Sequence, residues 1–480
     1  MSYFCFMRYI FLVLLPFFFS ITATAQEKWD LKKCVDYALA NNISIKQTDI
    51  QAKIADLTYQ QSKQSVYPNV SFSGGPAFNN GRNQDPTSFS LITQSFVSAN
   101  MQLQTSVDIF NWSSKKNTTL ASQWQAEAAK ANTDKLRNDI ALTIANSYLQ
   151  ILLNNEQEKI AELQLQQSQA QLSNTKKLVN AGSLPELNAA ELEAQVARDS
   201  ATYITAKGNV EQSVLSMKAY MSLDAATPIE IDTPPVEMIP VEKIADLQPD
   251  AVYALAVKNL PQQRANEFNL KAAMKNSDAA RGAMYPAISM YGSLSSGYNS
   301  RSTIITGSQQ ITPPIGKVTV GGTDYTVYSD PYTIYSTGKS KFTKQLDENF
   351  RQSVGLSISV PIFNGGSLKT NWQKSKLNIK NTELQKEADN QKIKQDIYQA
   401  YNAVTVALEK FNAGKKSVET AERSYGFAKK RYDVGMLGTY ELITIQNNLF
   451  RAKLEYVQNQ FDYVFKMKVL EFYKGQGLKL

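Results

Sequence analysis

The chain has 480 residues, of which 43% are hydrophobic and 20% are charged, and it carries a formal net charge of +8. This composition is that of a folded protein and not of a disordered one. The sequence contains no histidine, which excludes catalytic triads and zinc sites built on imidazole. No phosphate-binding glycine loop and no cysteine metal cluster occurs in the sequence either. We therefore expect a protein that is not an enzyme and that needs no cofactor or metal.

The N-terminal residues are typical of a secreted protein. Arg8 precedes an apolar run at residues 9–21, and small residues follow that run. This pattern predicts a signal peptide over residues 1–25. The alternative is a retained transmembrane helix, but such a helix needs about 20 apolar residues and this run is shorter. For an exported chain, the positive charge indicates attraction to anionic lipid headgroups, and we expect no nucleic acid partner. Cys34 would be the one cysteine left after cleavage, and we predict that it is buried as a small hydrophobic residue.

The two halves of the remaining chain correspond to each other. The segment SVYPNVSFSG at residues 65–74 matches AMYPAISMYG at residues 283–292. Farther along, SVDIFNWSSKK from Ser106 matches SVPIFNGGSLK from Ser359. Two matched landmarks in the same order predict an internal duplication.

The duplication predicts the organisation of the chain. The two landmarks lie farther apart in the second half, and the extra residues fall in a stretch rich in Ser, Thr, Tyr and Gly at about 298–349. We predict that this stretch is a long extracellular loop, because loops tolerate changes in length. The predicted parts are a first repeat at 26–226, a proline-rich equatorial linker at 227–247, a second repeat at 248–474 and a C-terminal tail at 475–480.

Residues 96–110 alternate between apolar and polar side chains, which is typical of a β-strand with two different faces. The strand that follows each Tyr-Pro and the strand ending at Phe363 alternate similarly. Four strands of about ten residues with this pattern are typical of a transmembrane barrel with a wet interior. The residues predicted to line the barrel lumen are Asn100, Gln102, Gln104 and Asp108. The alternative is a soluble sandwich, which would bury the apolar face against a second sheet.

Two long helices are predicted at residues 113–179 and 367–434, because neither stretch contains proline and both are rich in Ala, Gln, Lys, Glu and Leu. At about 1.5 Å per residue, each helix would approach 100 Å. Shorter helical runs open each repeat, at 31–66 and 250–284, and a returning run follows each long helix. Apolar residues in steps of four and three indicate a coiled-coil seam, which contains Ile144, Tyr148 and Ile151 in the first copy and Ile397, Tyr401, Val404, Leu408, Phe411, Val418, Tyr425 and Tyr432 in the second.

Oligomerisation follows from the number of strands. An unpaired strand edge in hydrocarbon leaves backbone groups without hydrogen bonds, so a membrane barrel must close. Four strands are too few to enclose a lumen, and eight strands from two chains would leave an interior filled by side chains. Three chains would give twelve strands, and we therefore expect a homotrimer.

The sequence resembles the TolC-type outer-membrane efflux family over essentially the whole mature chain. The resemblance is carried by WDLKKCVDYALANN from Trp29, by the YPNVSF and YPAISM strands, by VDIFN and VPIFN, and by glycine turns at Gly182 and Gly435. It implies an α+β membrane protein, internally duplicated, with four transmembrane β-strands per chain and long coiled-coil-like helices. Three copies would form a 12-stranded β-barrel in the outer membrane and an α-helical barrel in the periplasm. The implied partners are a periplasmic adaptor protein and an inner-membrane transporter of the RND or ABC type.

The resemblance also implies two functional regions. The glycine turns would be the tips of helical hairpins that contact the adaptor, and they comprise Asn180, Ala181, Gly182, Ser183 and Leu184 in the first repeat and Asp433, Val434, Gly435, Met436 and Leu437 in the second. Glu441 matches an acidic ring that closes the periplasmic end in many family members, but the next matching position is Thr444, so one acidic ring is expected here and not two. The alternatives are that the two glycines only terminate helices and that Glu441 is a solvated residue at a helix start.

The predicted function is that of a passive exit duct in a tripartite efflux or type I secretion system. The alternative is a surface binding or adhesion protein whose barrel is only an anchor in the outer membrane and whose loop at about 298–349 binds ligands or other cells. The long helices favour the duct, because a surface receptor has no use for periplasmic helices of that length.

Overall fold

The computed structural model describes residues 28–84 and 89–475. The predicted signal peptide and residues 476–480 of the predicted tail lie outside the described residues. The chain divides into two compact units. As far as the structure describes them, the helical unit contains Met1–Ala55, Trp124–Leu270 and Asn381–Leu480, and the strand unit contains Asp56–Gln123 and Lys271–Lys380. Within the described ranges, no helix is both long enough and apolar enough to cross a membrane.

Both halves of the chain have the same order of elements: two short helices, strands, and a pair of long helices. The first half contains α1 (Leu31–Asn41), α2 (Ile43–Gln64), β1 (Asn69–Gln84), β2 (Leu91–Phe110), α3 (Ser114–Asn180) and α4 (Glu186–Met221). The second half contains α5 (Pro249–Asn259), α6 (Pro261–Gly282), β3 (Ala287–Asn299), β4 (Thr303–Ile311), β5 (Pro314–Val320), β6 (Thr323–Tyr328), β7 (Tyr332–Lys339), α7 (Phe342–Glu348), β8 (Arg351–Ser359), α8 (Ser367–Asp433) and α9 (Thr439–Phe472).

The helical runs predicted at the start of both repeats are present, but each is interrupted once. In the first repeat the break is at Asn42, whose ψ of 128° lies outside the helical region and which accepts a hydrogen bond from the backbone N–H of Ser44 at 2.9 Å. Asn42 thereby caps the start of α2. In the second repeat the break is at Leu260, whose backbone angles are extended. Leu260 precedes Pro261, and a residue before proline is disfavoured in the helical region.

Two hydrophobic clusters of the helical unit repeat the same packing. The first contains Cys34, Ala38, Ile144, Ile151, Met217 and Met221, and the second contains Val252, Ala256, Ile397, Val404, Met467 and Leu470. All of these side chains are buried. The predicted seam residues Ile144, Tyr148 and Ile151 are buried as well, which confirms the seam of the first copy. Cys34 is fully buried as predicted, and burial raises the pKa of its thiol to about 12.

The strand unit is built on a four-stranded antiparallel sheet with the order β1-β2-β3-β8. Two of its strands are longer than predicted, with 16 residues in β1 and 20 in β2. Within the described part of the chain, β1 and β8 each pair along one side only. The sheet therefore ends in two edges whose outward backbone N–H and C=O groups have no strand partner.

The predicted loop at about 298–349 contains regular structure that the sequence pattern did not indicate. β4 pairs with β7, and β5 pairs with β6 across the two-residue turn Gly321-Gly322. Both glycines have positive φ, which a tight hairpin turn of this type requires. Helix α7 covers the end of β3, where the hydroxyl of Ser296 donates to the Leu346 carbonyl at 2.7 Å. The alternation of apolar and polar residues in these strands is short and is interrupted by glycine and proline. The sequence pattern therefore did not predict them.

Candidate functional site

The register of the four-stranded sheet places polar residues together on one face. Directly paired residues of neighbouring strands point to the same face of a sheet. Gln102 on β2 pairs with Ser73 on β1 and with Ser295 on β3, and Ser293 on β3 pairs with Ser353 on β8. The Ser293 and Ser353 hydroxyls lie 2.8 Å apart. We call this side of the sheet the polar face.

All four residues predicted to line a lumen lie on the polar face. Asn100, Gln102 and Gln104 are exposed along it. Asp108 differs from them, because its carboxylate accepts a hydrogen bond from the Ser289 hydroxyl at 2.8 Å and forms an ion pair with Lys115 at 2.8 Å. Lys115 lies in the first turn of α3, and its role was not predicted from the sequence. The charge of Asp108 is therefore compensated within the chain.

The opposite face of the sheet is apolar and exposed. Its exposed side chains include Val70, Phe72, Phe78, Leu103, Met290, Leu294, Val354, Leu356 and Ile358. Phe72 is 69% exposed and Ile358 is also 69% exposed, so these residues are not covered within one chain. A soluble sandwich would cover this face with a second sheet. Among the described residues no second sheet packs on it, and a continuous apolar surface of this extent suits contact with lipid.

Aromatic residues cluster at the end of the sheet where β2 passes into α3. The ring centroids of Phe110 and Trp112 are 5.3 Å apart, and those of Trp112 and Tyr285 are 5.0 Å apart. Tyr67, next to the start of β1, is 69% exposed. Aromatic girdles of this kind occur where the apolar band of a membrane barrel meets the headgroup region.

Both predicted tips are helical hairpin turns with the same geometry. At the first tip, Ser183 N–H donates to the Leu178 carbonyl at 2.9 Å, and Gly182 has a φ of +74°. At the second tip, Met436 N–H donates to the Arg431 carbonyl at 2.8 Å, and Gly435 has a φ of +75°. Each helix thus ends in a Schellman motif, which needs a left-handed residue and so favours glycine. No atom lies within 4 Å of a Cβ built on either glycine. Within one chain, the left-handed conformation that ends each helix therefore accounts for glycine at both positions.

The tip residues differ in exposure. Val434 is 68% exposed and Met436 is 69% exposed. Leu437, in contrast, is buried against Leu442 and Ala428. The first tip is exposed from Ala181 to Ser183, and Leu184 is half-buried. Within one chain, Leu437 therefore supports the second tip from inside and the exposed residues form its surface.

The candidate gate residue Glu441 lies in the first turn of α9 and is exposed. A carboxylate in the first turn interacts favourably with the helix dipole. Within one chain, Glu441 is therefore a solvated residue at a helix start.

The two helical hairpins are linked by polar contacts that sequence reasoning missed. The hydroxyls of Thr175 on α3 and Tyr432 on α8 lie 3.2 Å apart. The Gln195 amide on α4 donates to Asn447 on α9 at 3.0 Å, and the Asn447 amide donates back to Gln195 at 3.3 Å. The Gln195–Asn447 pair carries no spacing signal in the sequence, because its members lie in different repeats. Any separation of the hairpins must break these contacts.

A buried carboxylate adjoins this link. Asp199 on α4 is 6% exposed, and its carboxylate accepts a hydrogen bond from the Gln195 amide at 2.8 Å. Burial raises the pKa of Asp199 above its ordinary value, because the charged carboxylate loses hydration, and the hydrogen bond and the nearby Arg198 oppose the shift only in part. Charge at Asp199 therefore disfavours the packing of this helix.

Comparisons with known proteins agree with these features. A family model described as outer membrane efflux protein matches residues 34–222 and 252–470. The toluene efflux pump outer membrane protein TtgC of Pseudomonas putida is 22% identical over 457 residues, covering 90% of this chain and 81% of that protein. Outer membrane protein TolC of Salmonella enteritidis is 21% identical over 458 residues, covering 94% and 83%. The crystal structure of the Campylobacter jejuni CmeC outer membrane channel shares the fold, with a TM-score of 0.75, 16% identity, and coverage of 94% of this chain and 87% of that chain.

The raised pKa of Asp199 predicts a pH-dependent gain on substitution. An acid whose pKa is higher in the folded state costs stability at pH values above that pKa, and the cost disappears as the pH falls through it. Asp199→Asn should therefore raise the thermal midpoint of the helical circular dichroism signal at about pH 8, and the gain should shrink at about pH 4. Glu211→Gln, an exposed position on the same helix, should change the midpoint at neither pH. A gain that does not depend on pH, or a loss at both pH values, would contradict the assignment.

Proposed function

This chain belongs to the outer membrane efflux protein family, and from that membership we propose that three copies form the exit duct of a tripartite export system. Substrates would enter the duct from an inner-membrane transporter of the RND or ABC type, coupled through a periplasmic adaptor. They would leave through the outer membrane without further chemistry. The duct would be passive, and the transporter would supply the energy.

The observation that carries this proposal is the two-faced sheet with two unpaired edges. The apolar face is exposed to its surroundings, the polar face is continuous across four strands, and both β1 and β8 lack a partner on one side within the described residues. Pairing β8 of one copy with β1 of the next would satisfy both edges and place the apolar face toward lipid. Three copies would give a twelve-stranded barrel wide enough for a lumen, whereas two copies would give eight strands and a filled interior.

The exposed tip residues support the proposed adaptor contact. Val434 and Met436 project apolar side chains into solvent at the end of a helical hairpin. Exposed apolar residues on a rigid turn suit a protein partner, because their burial removes apolar surface from water. Leu437 would support this surface without contributing to it in the closed hairpin.

We also propose that Glu441 contributes to a periplasmic gate. Three copies would bring three Glu441 carboxylates toward one axis, where they would attract cations and narrow the opening. Opening would separate the helical hairpins and break the Thr175–Tyr432 and Gln195–Asn447 contacts. To shift the closed-to-open ratio a hundredfold, the adaptor must prefer the open state by about 2.7 kcal/mol.

The adhesion alternative has one feature in its favour, the exposed strands β4 to β7. Tyr325, Tyr328 and Tyr335 are each more than half exposed there. A surface-binding role does not account for the two long helical hairpins. We therefore retain the duct as the proposed function.

Conductance tests the duct and its gate together. Purified protein in a planar bilayer should show a small resting conductance that rises severalfold on Glu441→Ala, because the substitution removes the carboxylates at the constriction. Glu186→Ala, which removes an exposed carboxylate from the first turn of α4 at the other tip, should leave the conductance unchanged. An unchanged conductance in Glu441→Ala would remove the gate and leave the duct intact. A complete lack of conductance in every variant would contradict the duct.

Crosslinking in the native host tests the adaptor contact. With a photoreactive phenylalanine analogue in place of Met436, irradiation should join the chain to a periplasmic adaptor protein, identified by mass spectrometry. The control carries the analogue in place of Leu163, which is also exposed but lies 17 residues before the end of α3, and it should give no adaptor product. Equal adaptor yield at both positions, or none at Met436, would count against a tip contact.

A further inference from the structure

The four-stranded sheet carries very few charges, so each can be assigned to a face. Within β1, β2, β3 and β8 the charged residues are Arg82, Asp108 and Arg351. Arg82 pairs with Thr93 and has the same phase as Val70 and Phe72, which places it on the apolar face. Asp108 and Arg351 have the phase of the polar face. The net charge that this face presents therefore depends on these two residues.

The negative charge on the polar face is already compensated. Asp108 forms its ion pair with Lys115 at 2.8 Å, and Lys115 also donates to the Ser65 carbonyl at 2.9 Å. Opposite charges at this separation largely cancel for an ion passing at a distance of many ångströms. Asp108 and Lys115 therefore leave no net charge at their end of the sheet.

Arg351 has no such partner. It is the first residue of β8, pairs with Ser295 and is exposed. In the part of the chain that the structure describes, no carboxylate lies within ion-pair distance of its guanidinium. The positive charge of Arg351 is therefore not compensated by an ion pair within the described residues, and it can act on ions near the polar face.

The surroundings of Arg351 are suited to an anion. The residue borders a recess of about 480 Å³ whose lining also includes Asn100, Gln102, Ser295 and Asn349. These side chains offer amide and hydroxyl groups, and none of the described residues that line the recess carries a carboxylate. Guanidinium, amide and hydroxyl donors together match the oxygens of carboxylate, sulfate or phosphate groups, as well as chloride.

A second cation lies toward the same end of the polar face. The guanidinium of Arg301, just beyond β3, lies over the ring of Phe96 with 5.6 Å to the ring centroid. Phe96 pairs with Asn79 and shares the phase of Ser98 and Asn100, which places it on the polar face. Arg301 therefore places its guanidinium against the polar face.

We propose that Arg351 makes the barrel lumen favour anions over cations and contacts the anionic groups of substrates as they pass. The inference rests on the proposed function, because a trimer would place three guanidinium groups around one lumen. Rings of arginine and lysine give anion preference in other pores, because they raise the local concentration of anions and exclude cations. Charges about 10 Å from an axis in water at about 0.1 M salt would change the anion-to-cation ratio by roughly threefold to fivefold.

The preference assigned to Arg351 is opposite in sign to that of a Glu441 ring. Glu441 lies at a hairpin tip in the helical unit, whereas Arg351 lies in the strand unit. The charge preference of the whole duct combines both. A change made at Arg351 alone reports on the barrel segment.

Reversal potentials across a planar bilayer with a potassium chloride gradient test this inference. Arg351→Gln should lower the chloride-to-potassium permeability ratio roughly threefold or more relative to the unmodified trimer, while Arg351→Lys should retain it. The matched control is Arg82→Gln, which removes the same charge from the opposite face of the sheet and should leave the ratio unchanged.

The outcomes separate the inference from the proposed function. Conducting channels in which Arg351→Gln leaves the permeability ratio unchanged would overturn the role of Arg351 and leave the duct standing. An equal fall in Arg82→Gln would also overturn it, because the effect would then not depend on the polar face. If none of the variants conducts, both the duct and this inference fail.

Discussion

The structure depends on one constraint, the hydrogen bonding of the two outer strands of its sheet. β1 and β8 each pair on one side within the described residues, and hydrocarbon offers no water to satisfy the other side. The exposed apolar face places this sheet in lipid, so the unsatisfied edges must find strands elsewhere. In the proposed trimer, neighbouring copies of the same chain supply those strands. The lumen, its polar lining and the position of Arg351 all follow from that closure.

Much of the architecture could be predicted because it is periodic. The alternation of apolar and polar residues predicted which residues of β2 lie on each face. The register confirms that Gln102 shares a face with its paired residues on β1 and β3. Steps of three and four identified Ile144 and Ile151 as core residues, and both are fully buried. The duplication helped, because each pattern occurs twice and Ile397 and Val404 occupy the same places in the second cluster.

The features that sequence reasoning missed depend on single residues or on contacts between distant segments. Asn42 and Leu260 break the opening helices by local backbone preferences that periodicity does not register. The Gln195–Asn447 contact joins two repeats, and nothing in either segment indicates its partner. Arg351 is the first residue of β8. Only the strand register and the ion pairs show that it lies on the polar face and that its charge is not compensated, unlike that of Asp108. For the Gln195–Asn447 contact and for Arg351, the missing information is a tertiary neighbour.

Electron cryomicroscopy of the protein extracted from outer membranes in mild detergent tests the closure of the sheet most directly. We expect particles of three chains, with twelve strands in one closed barrel, β8 of each copy hydrogen-bonded to β1 of the next, and an open axis lined by the polar face. A monomer with uncovered strand edges, or a closed barrel of two chains without a lumen, would contradict the trimeric duct.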